Sequence, residues 1–330
     1  MINKVYFFGT SHTAGGGFEF ESNLKFNIGE ETSGNPNVPR GEFVKSIYKD
    51  LFPDEELTQE NFSFPGQFRK LCKDRNLNID VINISKQGYG NERIYRKFYE
   101  VLKDSKFKKE ESLFIFELSD IERKELFYRP LNSHITLNYN AVDRNFYTND
   151  ISLKEPKKNN YVELGGYAKS YWYETDNDLE ILKNDKDFFK KYIEKTISAE
   201  MQIQQLNINN INFLSFLKLN NINFLISEMH SCLDPQLRTY YDFIDNHIIS
   251  YYDTEKKYKR GFIDFTHRNQ LLIADETKYK YTDLHPGFTA IKLIAKNIFN
   301  DCVRKKYINS DIIEINKKDF IYPTIQNTVI

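Results

Sequence analysis

The amino-acid sequence predicts a doubly wound α/β domain with a parallel sheet. Three observations predict it: four apolar runs of strand length, amphipathic patterns of helical period between them, and connections too long for hairpins. Residues 3–9, 79–84, 112–118 and 222–228 are the strand candidates. They are rich in Val, Ile, Phe and Leu and are bounded by polar residues or Gly, as suits strands buried on both faces of a sheet. Strand–helix alternation of this kind implies right-handed crossovers.

The helix candidates follow in order. Residues 65–76 put Phe68, Leu71 and Cys72 on one side, and residues 91–104 repeat apolar side chains at Ile94, Tyr95, Phe98, Val101 and Leu102. A long pattern covers about 187–219. The last helix is expected from Pro286 to about Val303, with Phe288, Ile291, Ile294, Ala295, Ile298 and Cys302 along one face and Pro286 in the first turn. The whole is expected to be one domain over residues 1–310, with a C-terminal tail at 311–330. Two segments lack these patterns, about 16–62 (rich in Gly, Asn, Glu and Pro) and about 126–180 (dense in Tyr and Asn), and are expected to be loop insertions. Insertions of that length either cover active sites or decorate a surface. "NNINFL" occurs at 209–214 and at 220–225, once in a helix pattern and once in a strand, so it reflects an Asn- and Ile-rich composition rather than a repeat.

Composition narrows the function classes. A formal net charge of −1 gives no electrostatic ground for a nucleic-acid partner or an anionic membrane surface. Cys72, Cys232 and Cys302 lie far apart without metal-ligand spacing, which suits a reducing compartment and points to no metal. No signal-peptide pattern opens the sequence and no apolar run nears the ~20 residues of a membrane span. A cytoplasmic protein is expected, and an Asn/Lys-rich chain of this kind suits an intracellular or phage-encoded one. No GxGxxG or GxxxxGK[ST] loop is present, so no nucleotide cofactor is expected, nor any other.

In a doubly wound sheet the chemistry sits on loops at the carboxyl ends of the strands. After the first strand comes Gly9-Thr10-Ser11-His12. The second is followed by a loop holding Gly88, Gly90 and Asn91, and the third by one holding Ser119, Asp120 and Arg123. Asp283 and His285 precede the last helix. Pro286 disfavours the α conformation at His285 and pushes it extended, and residues two apart in an extended segment share a side. A carboxylate at 283 would then orient the His285 imidazole, which would take a proton from a serine arriving from the first strand. Gly88 would let a backbone N–H approach a developing oxyanion, with a second N–H from Ser11 at a helix start. Each feature alone has a plainer reading. A serine after a strand caps helices, and Asp-x-His-Pro is helix-start chemistry. Their joint occurrence, in order and on the right strand ends, favours a Ser–His–Asp arrangement. His12 reads as a rim or capping residue, His230 as a structural histidine that could line the site, and Glu117 and Glu228 as carboxylates closing core strands.

On these residues the chain resembles the SGNH (GDSL-type) serine hydrolases. Gly9-Thr10-Ser11 is similar to their Gly-Asp-Ser turn, Asn83 and Gly88 to their second block, and Asp283-Leu284-His285-Pro286 to their last. The resemblance covers residues 3–125 and about 186–303. It implies a flavodoxin-like α/β/α fold of three layers, with Ser11 as nucleophile, His285 as general base, Asp283 orienting it, and Ser11 and Gly88 as oxyanion donors. The third block departs from the family. Its Gly-x-Asn-Asp supplies an Asn donor, whereas Asp120 lies near that position here, and an ionised carboxylate only accepts hydrogen bonds. Asn91 would then donate instead, or Arg123 would neutralise Asp120, or efficient hydrolysis would be lost; one missing oxyanion donor typically costs about 10²–10³ in rate. The expected substrate is an ester or O-acetyl group on a small molecule or glycan. The alternatives are a non-catalytic binding or structural protein on the same fold, and an acyltransferase.

Overall fold

The structure, a computed structural model, describes residues 2–18, 20, 40–86, 90–118, 123–139, 161–163, 168–173, 185–196, 199–228, 246–252, 257–258, 261–277 and 285–323. In chain order the first elements are β1 (Lys4–Phe8), α1 (Arg40–Leu51), α2 (Phe64–Asp74), β2 (Asp80–Asn83), α3 (Asn91–Leu102) and β3 (Ser112–Leu118). Strands β4 (Arg123–Tyr128), β5 (Ser133–Tyr139), β6 (Tyr161–Glu163) and β7 (Ala168–Tyr173) follow. Then come α4 (Lys186–Thr196), α5 (Ala199–Leu219), β8 (Phe224–Glu228), β9 (Tyr251–Tyr252) and β10 (Lys257–Tyr258). The last helices are α6 (Phe262–Arg268), α7 (Ile273–Thr277) and α8 (Phe288–Arg304).

The four apolar runs form one parallel sheet in the order β2-β1-β3-β8. The chain steps from β1 outward to β2 and then returns to the other side of β1 for β3, so the strand order reverses between β1 and β3. In open α/β sheets that reversal leaves a crevice at the carboxyl ends, where ligands bind. Alternation divides each strand between two cores. Val5, Phe7, Leu113, Ile115 and Leu225 face a core shared with α1, α2 and α8. Tyr6, Phe8, Phe114, Phe116 and Ile226 face another, filled by Ile94 and Phe98 of α3 and by Phe213, Leu214 and Leu217 of α5. Helices thus cover both faces, and the apolar side chains of β1, β3 and β8 alternate between the two cores, as a period of two requires of a doubly buried sheet.

Local chemistry sets the helix ends. Ser63 accepts a hydrogen bond from the Gly66 N–H at 3.1 Å, and Pro65 occupies the first turn of α2. The pattern over 187–219 forms two helices, α4 and α5. Pro286 lies before α8, whose N-cap is Gly287, and instead bridges Leu272 in an antiparallel contact.

The two segments expected as loop insertions contain structure of their own. Within 16–62, Phe18, Phe20, Phe62 and helix α1 lie in the first core, because Val44, Ile47, Tyr48 and Leu51 recur at helical spacing and bury one face. The other segment begins at Arg123, earlier than expected, and its described residues form an antiparallel sheet, β4-β5-β7-β6. Ile135 and Leu137 are its buried alternate positions. Its first strand is tied to α3 by a fork of two hydrogen bonds from Arg96 to Glu125, at 2.9 and 2.7 Å, and by a Lys124–Glu92 ion pair. Residues beyond 310 run along α8: Asn300 exchanges two hydrogen bonds with the backbone of Ile313, and Lys296 pairs with Asp319 at 2.9 Å. No helix among the described residues is long and apolar enough to cross a membrane.

Phe98 is fully buried and meets Phe114, Phe116 and Phe213 edge-on at 5.0, 5.5 and 5.3 Å. Phe98→Ala is expected to destabilise the fold by about 3–5 kcal/mol, since a cavity adds to the lost transfer energy. Urea unfolding followed by circular dichroism measures it.

Candidate active site

The chain leaves β1 at Phe8 and folds back in a tight turn over residues 10–17 rather than entering a helix. One helical turn forms, with the Ala14 N–H donating to the Thr10 carbonyl at 3.0 Å. It stops because Gly15 and Gly17 take left-handed φ values of 76° and 90°. The Gly16 N–H donates to the Ser11 carbonyl at 2.5 Å. Ser11 therefore sits inside a closed loop and does not cap a helix, which corrects the expectation of a helix start at this serine. It is 4% exposed.

What pins the loop is Glu117, near the end of the neighbouring strand β3 and fully buried. Its carboxylate accepts hydrogen bonds from the Thr10 N–H at 3.2 Å, the Thr10 hydroxyl at 2.5 Å and the Thr13 N–H at 2.9 Å. The Nδ1 of His12 lies 3.4 Å from its Oε1, an ion-pair distance. Burial by itself would raise the Glu117 carboxyl, but His12 and the threonine donors outweigh it and hold the group down at about 2. Gly9 makes the approach possible, because a Cβ there would stand 2.6 Å from both Glu117 Oε2 and Thr13 Oγ1.

His285 arrives from the other end of the chain. Its carbonyl accepts from the Ile273 N–H at 3.1 Å, and Gly287 N–H donates to Leu271 at 2.7 Å, so residues 285–287 run extended beside 271–273. Glu276 fixes the start of α8. Its buried carboxylate accepts from the Phe288 and Thr289 N–H groups at 2.8 and 2.7 Å and from the Tyr48 hydroxyl at 2.6 Å. Burial pushes the Glu276 carboxyl up, against those donors.

Gly16 is where the two ends meet. A Cβ at Gly16 would lie 2.8 Å from His285 Nε2 and 2.8 Å from Ser11 Cβ, so the two side chains border the same small space. The His285 ring also lies 4.8 Å from that of His12, tilted by 34°, and the His12 ring meets Phe262 edge-on at 5.3 Å. Among the described residues, Ser11 accepts a hydrogen bond at its carbonyl from the Gly16 N–H.

Of the residues expected at the site, Ser11, His12 and His285 come together. Asn91 is buried as the first residue of α3, which starts at the carboxyl edge of the same sheet, where the Lys86 N–H donates to the Gly9 carbonyl at 3.1 Å. Arg123 opens β4, paired with Asn138, rather than lying in a loop. Gly88, Asp120, His230 and Asp283 lie outside the described residues. Glu117, Gly16 and Glu276 are the contributors that sequence reasoning missed. A carboxylate closing an otherwise apolar strand was the available signal for Glu117. Among the described residues no group of three or more His, Cys, Asp or Glu side chains could hold a metal ion.

Comparison with known proteins finds no matching family model, no matching curated protein and no matching solved structure.

Two predictions follow from this geometry. The folded-state Glu117 carboxyl lies below its ordinary value of 4.5, so its contribution to stability is complete above that pH and is lost as pH falls toward 2. Acid unfolding should therefore steepen in that window, and a Glu117→Gln variant should lack that titration while being less stable at neutral pH. Gly16→Ala should force Ser11 and His285 apart; a crystal structure of the variant should show the pair displaced, at a stability cost of about 1–3 kcal/mol.

Proposed function

We propose that the chain is a serine hydrolase of the SGNH type, with a flavodoxin-like three-layer fold, that cleaves an ester or O-acetyl group of a small molecule or glycan. The observation that carries this reading is the convergence of Ser11 and His285 on the space at Gly16. It occurs at the carboxyl edge of the sheet, where the strand order reverses. In this mechanism the Ser11 hydroxyl attacks the carbonyl carbon and passes its proton to His285 Nε2, which delivers it to the leaving alkoxide; water deprotonated by the same imidazole then attacks the acyl-serine, and the proton returns to Ser11 as the acid leaves. Asp283 orients the imidazole. The N–H groups of Ser11 and Gly88 receive the oxyanion, and the Asn91 amide supplies the donor that Asp120 does not. Arg123 offsets the Asp120 charge, and His230 lines the site. No cofactor takes part. The protein acts in the cytoplasm, apart from nucleic acid and membranes.

The test is labelling by a serine-reactive fluorophosphonate, together with hydrolysis of a short acyl ester. Ser11 is expected to carry the label, and Ser11→Ala to lower hydrolysis by about 10³-fold or more. A Ser11→Ala protein that keeps full activity overturns the proposal. An unlabelled wild-type protein would instead identify a binding protein on this fold, and acyl transfer to an added sugar hydroxyl would identify an acyltransferase.

A further inference from the structure

We propose that Glu117 and His12 form an electrostatic device that keeps the His285 imidazole neutral, and so able to accept the Ser11 proton, down to mildly acidic pH. The inference rests on the Ser11–His285 reading above and assigns His12, expected only at the rim, as a positioning residue.

The geometry is a row of three groups. Glu117 stands at the end of β3, His12 lies 3.4 Å from its carboxylate, and the His285 ring lies 4.8 Å beyond that of His12. Glu117 is buried and held ionised by Thr10 and Thr13, and a buried carboxylate calls for a cation beside it. His12 meets it at 3.4 Å, and an imidazolium charge on His12 would fall next to His285. Two positive charges at that separation repel, so a second proton on His285 is disfavoured while His12 keeps its own. The Phe262 ring packs against His12, with the two ring centroids 5.3 Å apart.

The other charged groups act in the opposite direction. Glu276 of α7 packs its carboxylate against Gly287, two residues past His285, with Tyr48 of α1 donating to it. Asp283 precedes His285 by two residues. Glu228 of β8 and Tyr251 of β9 share the electrostatic surroundings of Glu117. Each carboxylate favours a protonated His285. A protonated His285 has no lone pair with which to take the Ser11 proton as the Oγ–C bond forms and the carbonyl electron pair moves to oxygen. Among the described residues His12 opposes them.

The experiment is a ¹⁵N NMR titration of the His285 ring, assigned with a His285→Gln variant. It is run beside the pH–rate profile for p-nitrophenyl acetate hydrolysis and for fluorophosphonate labelling. In His12→Gln, which loses the charge and retains a donor for Glu117, the His285 midpoint and the acid limb of both profiles should move up together by about one pH unit, with rates below the limb falling about tenfold. His12→Lys, which restores a cation, should bring both back toward the wild-type values. A His12→Gln protein with an unmoved His285 midpoint overturns the inference. If Ser11→Ala abolishes labelling in the same experiment, the hydrolase reading survives that result. If Ser11→Ala keeps its labelling, the hydrolase reading falls, and the NMR midpoint still decides the electrostatic claim. Should His12→Gln not fold, His12→Asn carries the same expectation.

Discussion

A single buried carboxylate organises the carboxyl edge of the central sheet. Glu117, one residue before the end of the mostly apolar β3, is fully buried, and the turn after β1 wraps around it to supply its hydrogen bonds. The dependence is mutual. The turn is held by its burial, by Gln59 donating to the Ala14 carbonyl and by Glu117, and the buried carboxylate in turn needs the N–H groups aimed at it to stay ionised. The positions of Ser11 and His12 follow, since they are the residues caught between Thr10 and Thr13. Gly9 completes the arrangement by letting backbone and carboxylate approach more closely than any side chain allows.

The same device recurs at the other end of the chain. Glu276 collects two N–H groups from the first turn of α8 and a hydroxyl from α1, and so fixes the segment that carries His285. Two residues distant in sequence thus meet through two separately anchored frames, one rooted in β3 and one in the start of α8. Neither frame relies on a contact between Ser11 and His285 themselves. The pair is held by its surroundings, which is the condition for a preorganised site.

Much of this was legible in the sequence, and the reasons for the rest are physical. The four parallel strands stand out because strands buried on both faces are unbroken apolar runs, and Ser11 and His285 stand out because loops at strand ends are where a doubly wound sheet keeps its polar chemistry. Helix α1 was missed although Phe43, Val44, Ile47, Tyr48 and Leu51 follow its period, because the Gly- and Asn-rich residues before it mask the pattern. Strands β4 and β5 were missed for a related reason: Ile135 and Leu137 alternate with His134, Thr136 and Asn138, but over too few residues to stand out among the tyrosines. Glu117 stood out as a carboxylate closing a core strand, but what it holds could not be read. Its partners lie more than a hundred positions away, and only the register of β1 against β3, from Lys4↔Ser112 to Phe8↔Phe116, brings them together. Gly16 looked like one more glycine in a loop until His285 was seen to occupy the space its missing side chain leaves.

The ion pairs between α3 and β4 have a mechanical meaning. Glu92 and Arg96 lie in the first two turns of α3, the helix whose first residue is Asn91, and through Lys124 and Glu125 they grip the strand that begins the antiparallel sheet. These ties join the antiparallel sheet to the end of α3 nearest the crevice, while α4 packs against β5 and β7. The edge of the crevice and the first strand of the antiparallel sheet thus share one helix, α3, as their common support.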